Sequence, residues 1–293
     1  MRLCRFDDDR LGVVLEDGGL ADVPEVLARV PPKRWPDLAG DPLIAALPQL
    51  RPAIDGLLDR APRRRLSEVR LESPVPRPGK VIAAPVNYLA HLEEVRRDPQ
   101  IHRSRRIAEI HEAGLFLKAS SSVVGPARGP AVPFPDRRTD HEIELAAVIG
   151  RRVRNVPPQH ALACVAGYLV ALDMTVRGPE ERSLRKSFDG ATVLGPWLVT
   201  ADGIPDPGAL ELRLWCDGEL RQHASTADMV IDVAGLVALA SRWYTLEPGD
   251  VLLTGTPEGV GPVRPGSRLV AEITGIGRFE TVVRAGAEDE ADA

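Results

Sequence analysis

One run constrains the fold more than any other: Thr139-Asp-His-Glu-Ile-Glu-Leu-Ala-Ala-Val-Ile-Gly150. Its apolar residues recur at every second position, the period of an extended strand, so Ile143, Leu145, Ala147 and Ile149 share one buried face. Glu142 and Glu144 then share the other face. Side chains two residues apart on a strand are separated by roughly 7 Å, and at an effective dielectric of about 20 two anions at that distance repel by about 2 kcal/mol before any desolvation. A positive group between them relieves this, and a divalent cation is the simplest candidate. The alternative is that both glutamates face solvent and pair with Arg151, Arg152 or Arg177.

The length of 293 residues is sufficient for one large domain or for a domain with a small appendage. Net charge of −5 gives no general attraction to nucleic acid or anionic lipid, and no basic face with interleaved aromatics is visible. The longest nearly apolar run, Ala163 to Leu172, is about half of the roughly 20 residues that a membrane-crossing helix needs. Met1-Arg-Leu-Cys-Arg lacks the apolar segment of a signal peptide, and the expected location is cytoplasmic. Cys4, Cys164 and Cys216 match neither a disulfide framework nor a zinc spacing. Only four of the 37 basic residues are lysine, so arginine is the default cation and attention falls on Lys118 and Lys186, where a compact ammonium is retained.

The chain divides into a small leading unit, residues 1–72, a main unit, 73–285, and an acidic tail, 286–293, expected to be disordered. In the leading unit, Leu11 to Gly19 predicts a hairpin and Asp41 to Leu58 a short helix, while Arg63-Arg64-Arg65 reads as a solvated turn. The proline-rich stretch Ser73 to Gly79 reads as a linker. In the main unit, strands are expected at Leu115–Lys118, Glu142–Gly150, Gly167–Asp173, Leu194–Thr200 and Leu210–Asp217. Asp228 is placed as the cap of a helix reaching about Tyr244, and Pro-Gly turns at 248–249 and 265–266 each introduce a further strand. Residues 88–113 read as a helical flap interrupted at Asp98-Pro99. Strands dominate without regular βαβ alternation, so the class is α+β.

Several positions carry possible chemistry. Asp173, a charge at the end of an apolar strand, is the best third ligand beside Glu142 and Glu144, and such an all-oxygen set favours Mg²⁺ or Mn²⁺ over zinc. His91 and Glu94 are three residues apart, so on a helix the carboxylate can orient the imidazole as a general base. Lys186 can face a developing enolate or carboxylate. Thr254-Gly-Thr-Pro-Glu-Gly259 lacks a P-loop lysine but can aim backbone N–H groups and Thr256 at an anion. His102, His111, His141, His160 and His223 show no metal spacing and are read as structural.

Taken together, these segments resemble the fumarylacetoacetate hydrolase family. The matching runs are Val86-Asn-Tyr-Leu-Ala-His91, Leu115-Phe-Leu-Lys118 with Ser121-Ser122, Asp140-His-Glu-Ile-Glu-Leu145, Ala166-Gly-Tyr168, Asp173-Met-Thr-Val-Arg177, Lys186-Ser-Phe-Asp189, Leu194-Gly-Pro-Trp197 and Leu253-Thr-Gly-Thr-Pro257, in family order across about residues 80–280. The resemblance implies a strand-rich mixed fold, usually a homodimer, with Mg²⁺ or Mn²⁺ on Glu142, Glu144 and Asp173. It also implies a His91–Glu94 base dyad on a flap and Lys186 on the substrate side. Asn87, Tyr88, Lys118, Arg177 and Thr256 fall on motif positions near the pocket. Gly178 and Ala191-Thr-Val193 depart from the commonest family pattern at the pocket rim and leave the substrate open.

The chemistry so implied is C–C hydrolysis of an acylpyruvate-like or other β-diketo acid through a metal-held enolate. The rivals are decarboxylation or isomerisation of oxaloacetate-like or unsaturated 2-oxo dicarboxylic acids in aromatic catabolism, and a non-catalytic metal- or ligand-binding protein on the same scaffold.

Overall fold

The structure, a computed structural model, describes residues 1–34, 39–98, 101 and 109–286. Its framework is a large mixed sheet. In order across it run Arg63–Arg65, Gly19–Asp22, Arg10–Val14, Arg2–Phe6, Thr192–Thr200, Val165–Asp173, Ile143–Ile149, Val251–Leu253, Val81–Ala83 and Phe116–Lys118. Neighbours along this path are antiparallel except Val81–Ala83 beside Val251–Leu253. The class is α+β. Every strand expected in the main unit is present with slightly different ends, and the hairpin at Leu11 forms from Arg10–Val14 and Gly19–Asp22. Arg63–Arg65 is an exposed edge strand rather than a turn, its three cations blunting the open edge of the sheet.

The glutamate strand is buried on both faces, a correction to the single buried face read from its alternation. Ile143, Leu145, Ala147 and Ile149 enter one core cluster, while Ala146 and Val148 enter a second. The first face is covered by the helix Val233–Trp243, through Val233, Leu236, Val237 and Ala240, and by a four-stranded antiparallel sheet. That sheet runs Glu219–Ser225, Glu211–Cys216, Arg268–Ile273, Gly277–Val282, and its Leu212, Leu214, Leu269 and Ala271 join the same cluster. The second face is covered by the helix Pro42–Asp55, whose Leu43, Ile44, Leu47, Leu50 and Ile54 pack on Ala146, Val148, Leu169 and Leu253. Burying side chains of this size contributes roughly 1.5–3 kcal/mol each, before conformational entropy is subtracted. The leading residues therefore extend the sheet through Arg2–Phe6 and also roof its second face.

Helix ends follow local chemistry. Asp41 caps Pro42–Asp55 by accepting from the N–H groups of Leu43 and Ile44, as its position predicts. The second major helix starts four residues later than expected. Asp228 closes a capping box with Ser225 around the short 3-10 turn Thr226–Asp228, and Asp232 caps Val233–Trp243 by accepting from Gly235. The intervening Val230 and Ile231 stay outside the helix, their N–H groups bonding Asn87. The flap contains the helix Leu89–Arg97 and the short helix Ile110–Ala113; Pro99 and His102 lie outside the described residues, as does the tail beyond Gly286. Among the described residues no helix is long and apolar enough to cross a membrane.

The parallel pair beside the glutamate strand is tied by Asp250, which is fully buried. Its carboxylate accepts from the backbone N–H groups of Lys80 and Glu247 and from Lys80 Nζ at 2.6 Å. Asp250→Ala leaves two N–H groups without this acceptor, so unfolding in urea should show a loss of about 3 kcal/mol at unchanged slope. A loss under about 0.5 kcal/mol would contradict this role.

Candidate active site

Strand register alone brings three acids together. Ile143 lies opposite Leu172 and Glu144 opposite Ala171 in the antiparallel pair, and the Asp173 N–H donates to the Glu142 carbonyl at 2.8 Å. Positions 142, 144, 171 and 173 therefore share one face of the sheet. Each of the three carboxylates offers an oxygen lying within 4.8 Å of the others, closer than strand spacing alone suggests, and all three are buried. At an effective dielectric of about 20, two charges 4.8 Å apart repel by roughly 3 kcal/mol.

Cations answer this repulsion unevenly. Lys186 Nζ bridges Glu142 Oε2 at 2.6 Å and Asp173 Oδ2 at 2.7 Å, and Lys118 Nζ donates to Asp173 Oδ1 and, at 3.2 Å, to the Ala191 carbonyl. Arg177 donates through Nη2 to Glu142 and through Nε to Asp140, so the solvent-facing alternative named the correct arginine on a buried pair. Arg152 instead pairs with Glu247. Burial works against the charge on Glu142, but Lys186 and Arg177 outweigh it and hold the carboxyl well below its ordinary range. Burial also works against the Lys186 ammonium, but Asp173, Glu142 and Glu144 raise its pKa overall. Lys118 is lowered, its burial outweighing Asp173. Glu144 is left exposed to the excess. Its hydrogen-bonding partner is the Gly255 N–H at 2.7 Å, and burial, Asp173 and Glu142 push its pKa well above the usual carboxylate value.

The base candidates meet the same cleft. The helix Leu89–Arg97 puts His91 Nδ1 at 2.8 Å from Glu94 Oε2, while Glu94 Oε1 accepts from the Gly259 N–H at 2.9 Å. A carboxylate only accepts, so in the neutral imidazole Nδ1 carries the proton and Nε2 the lone pair. His91, Val95, Glu142, Glu144, Arg177, Lys186 and Thr256 line one narrow cleft. Asp173 and Lys118 lie buried behind that wall.

The Thr254–Gly259 turn aims its N–H groups at the protein's own acids, Glu144 and Glu94, rather than outward. Gly255 is required there: its φ is +95°, and a Cβ would stand 2.7 Å from Asn87 Cβ. The Asn87 side chain is spent on backbone, donating to Thr254 and Ile231 carbonyls and accepting from the Ile231 N–H. Tyr88 is buried, its hydroxyl has no partner among the described residues, and burial followed by the Glu144 charge raises its pKa. Neither side chain lines the cleft.

Two supports escaped the sequence reading. Gln222, fully buried in the four-stranded sheet, accepts from the Ile143 N–H through Oε1 and donates to Thr256 Oγ1 and the Pro257 carbonyl. It thereby pins the residue between the two glutamates. Asp140, also fully buried, accepts from Arg138 and Arg177 and so anchors the arginine that neutralises Glu142. His141 is buried against Gln222, and His223 pairs with Glu211 away from the cleft.

Comparison with known proteins gives a consistent assignment. The family model "Fumarylacetoacetate (FAA) hydrolase C-terminal" matches residues 80–284. A maleylpyruvate hydrolase of Aquipseudomonas alcaligenes is 52% identical over 286 residues, covering 97% of this chain and 99% of that protein. The crystal structure of maleylpyruvate hydrolase from Sphingobium sp. SYK-6 in complex with manganese(II) and pyruvate superposes with a TM-score of 0.83 at 41% identity, over 98% of this chain and 100% of the other. A mitochondrial oxaloacetate tautomerase of Rattus norvegicus is 38% identical over 228 residues, 75% of this chain and 67% of that one.

The charge imbalance at Glu144 has a measurable consequence. In the presence of a chelator, Glu144→Gln removes an anion facing two others while its side-chain oxygen still accepts from Gly255. The melting temperature should rise by about 2 °C, corresponding to roughly 1 kcal/mol. A fall would show that the carboxylate is held by something other than the partners named above.

Proposed function

The chain belongs to the fumarylacetoacetate hydrolase family, and from that premise we propose that it is a Mg²⁺- or Mn²⁺-dependent hydrolase that cleaves a C–C bond of an acylpyruvate, with maleylpyruvate as substrate. One observation carries the reading: the glutamates of a buried carboxylate triad and a carboxylate-oriented histidine line the same cleft. The whole-length identity to the Aquipseudomonas maleylpyruvate hydrolase supports the substrate.

The donor set suits a hard divalent ion. Three carboxylates with no sulfur or imidazole among them match Mg²⁺ or Mn²⁺, and the excess negative charge at Glu144 is what such an ion would neutralise. Glu142, Glu144 and Asp173 would hold it, and when bound it supplies Lewis-acid polarisation of a 2-oxo group and stabilisation of negative charge.

The remaining steps belong to the chain's own side chains. His91, with Nδ1 fixed by Glu94, takes a proton from water at Nε2. The hydroxide adds to the carbonyl remote from the pyruvyl carboxylate, and the C–C bond to the pyruvyl methylene breaks with its electron pair on the pyruvyl side. The proton from His91 then passes to that carbon, giving pyruvate and a carboxylic acid. Lys186 faces the negative charge that develops. Arg177, Lys118 and Thr256 keep the triad and its turn in place, and Asn87 holds Gly255 so that its N–H stays on Glu144. Tyr88 anchors the start of the flap helix. The reading includes a homodimer in the cytoplasm, and a monomer by sedimentation at micromolar concentration would contradict that part.

The tautomerase relative favours a second reading, in which the site moves a proton in, or decarboxylates, an oxaloacetate-like or unsaturated 2-oxo dicarboxylic acid without attacking water. Product analysis separates the two. With Mn²⁺ and maleylpyruvate, pyruvate and maleate should appear in equal amounts, whereas CO₂ without a carboxylic acid fragment would overturn hydrolysis. His91→Asn should lower kcat about 10³-fold while leaving Mn²⁺ affinity by calorimetry unchanged, and Glu144→Gln should weaken Mn²⁺ binding about 100-fold. Equal effects of both variants on metal binding would sink this division of labour.

A further inference from the structure

Among the described residues four cationic side chains line the cleft: Arg177, Arg182, Arg185 and Lys186. Three are committed within the protein. Arg177 serves Asp140 and Glu142, and Lys186 bridges Glu142 and Asp173. Arg185 donates to the carbonyls of Glu180 at 2.8 Å and Val176 at 3.1 Å. Arg182 is different. Among the described residues its guanidinium has no hydrogen bond or ion pair, and its contact is the Phe116 ring, whose centroid lies 5.4 Å from Cζ. Phe116 also lines the cleft, and Lys186 Nζ lies 5.9 Å from the same ring centroid. Arg182 is half-buried, and burial lowers its pKa despite the fields of Glu142, Glu181 and Asp173, as for a charge that has given up part of its water without gaining a partner among the described residues.

We propose that Arg182 receives the second carboxylate of a dicarboxylic 2-oxo acid, and thereby selects acyl chains that end in a carboxylate over neutral ones. The inference rests on the reading that this cleft takes a 2-oxo acid, whose oxo end belongs at the triad. The far end then needs its own counter-charge. A planar guanidinium fork, with one face on an aromatic platform and no internal acceptor, matches a carboxylate in two parallel hydrogen bonds. Maleylpyruvate carries such a group at the end of its acyl fragment, whereas acetylpyruvate ends in a methyl group.

Arg182→Met keeps the aliphatic stem on Phe116 and removes the charge, so folding should be retained. Calorimetry on the Mn²⁺-loaded protein would compare 2-oxoglutarate and 2-oxoadipate with 2-oxobutyrate, which has one carboxylate. The parent should bind a dicarboxylate more tightly, and the variant should lose about 100-fold for it with 2-oxobutyrate unchanged. In turnover, kcat/KM for maleylpyruvate should fall by a similar factor, mostly in KM, while acetylpyruvate kinetics stay as in the parent and Arg182→Lys recovers part of the loss. No dicarboxylate preference in the parent, or equal losses for both ligand classes in the variant, would overturn the proposal. If the parent cleaves neither acylpyruvate yet shows an Arg182-dependent dicarboxylate preference, the hydrolase reading fails and the carboxylate receptor stands.

Discussion

Three buried carboxylates facing one another on a single sheet face are the constraint around which the rest of the molecule is arranged. Antiparallel register forces them together, because Glu142, Glu144 and Asp173 occupy same-face positions on paired strands. Burial then makes their charge costly, and the surrounding residues divide the burden. Lys186, Lys118 and Arg177 neutralise Glu142 and Asp173, while Glu144 receives a backbone N–H. The asymmetry is chemically useful, since a site fully neutralised by its own lysines would have little affinity left for a cation.

The scaffold keeps these groups from relaxing apart. Core clusters grip both faces of the glutamate strand, and Gln222 reaches from a separate sheet to hold the Ile143 N–H and the Thr256 hydroxyl together. The Thr254–Gly259 turn fastens Glu144 with one N–H and Glu94 with another, coupling the triad to the base dyad through a single loop. That coupling carries the family assignment into chemistry, because the cleft brings a hard-cation site and an oriented imidazole to one wall. Arg182, without an acceptor among the described residues, gives the same wall a place for the far end of a substrate.

Much of this arrangement was legible in the sequence. Glu142 and Glu144 declare themselves by the strand period, Asp173 by ending an apolar run, and His91 with Glu94 by helical spacing. The Pro-Gly turns and the Asp41 cap are local chemistry and appear where their residues dictate. What was not legible depends on residues far apart in the chain. Gln222 sits in the polar run Glu219-Leu-Arg-Gln-His, and its partner Ile143 is 79 positions away. The second buried face of the glutamate strand had a local trace, since Leu145-Ala-Ala-Val-Ile149 is continuously apolar, but the alternation around it dominated. Asp228 and Asp232 are both capping residues; Asn87, far away in sequence, takes the N–H groups of the segment between them and so decides which one starts the helix.

The central claim is that Glu142, Glu144 and Asp173 hold one divalent cation. Crystals grown with Mn²⁺ and measured at the manganese absorption edge test it most directly. A single anomalous peak bounded by carboxylate oxygens of all three residues, with Lys186 Nζ moved off the line between Glu142 and Asp173, is the predicted result. A map without a peak there, or with manganese bound only elsewhere, would contradict the account.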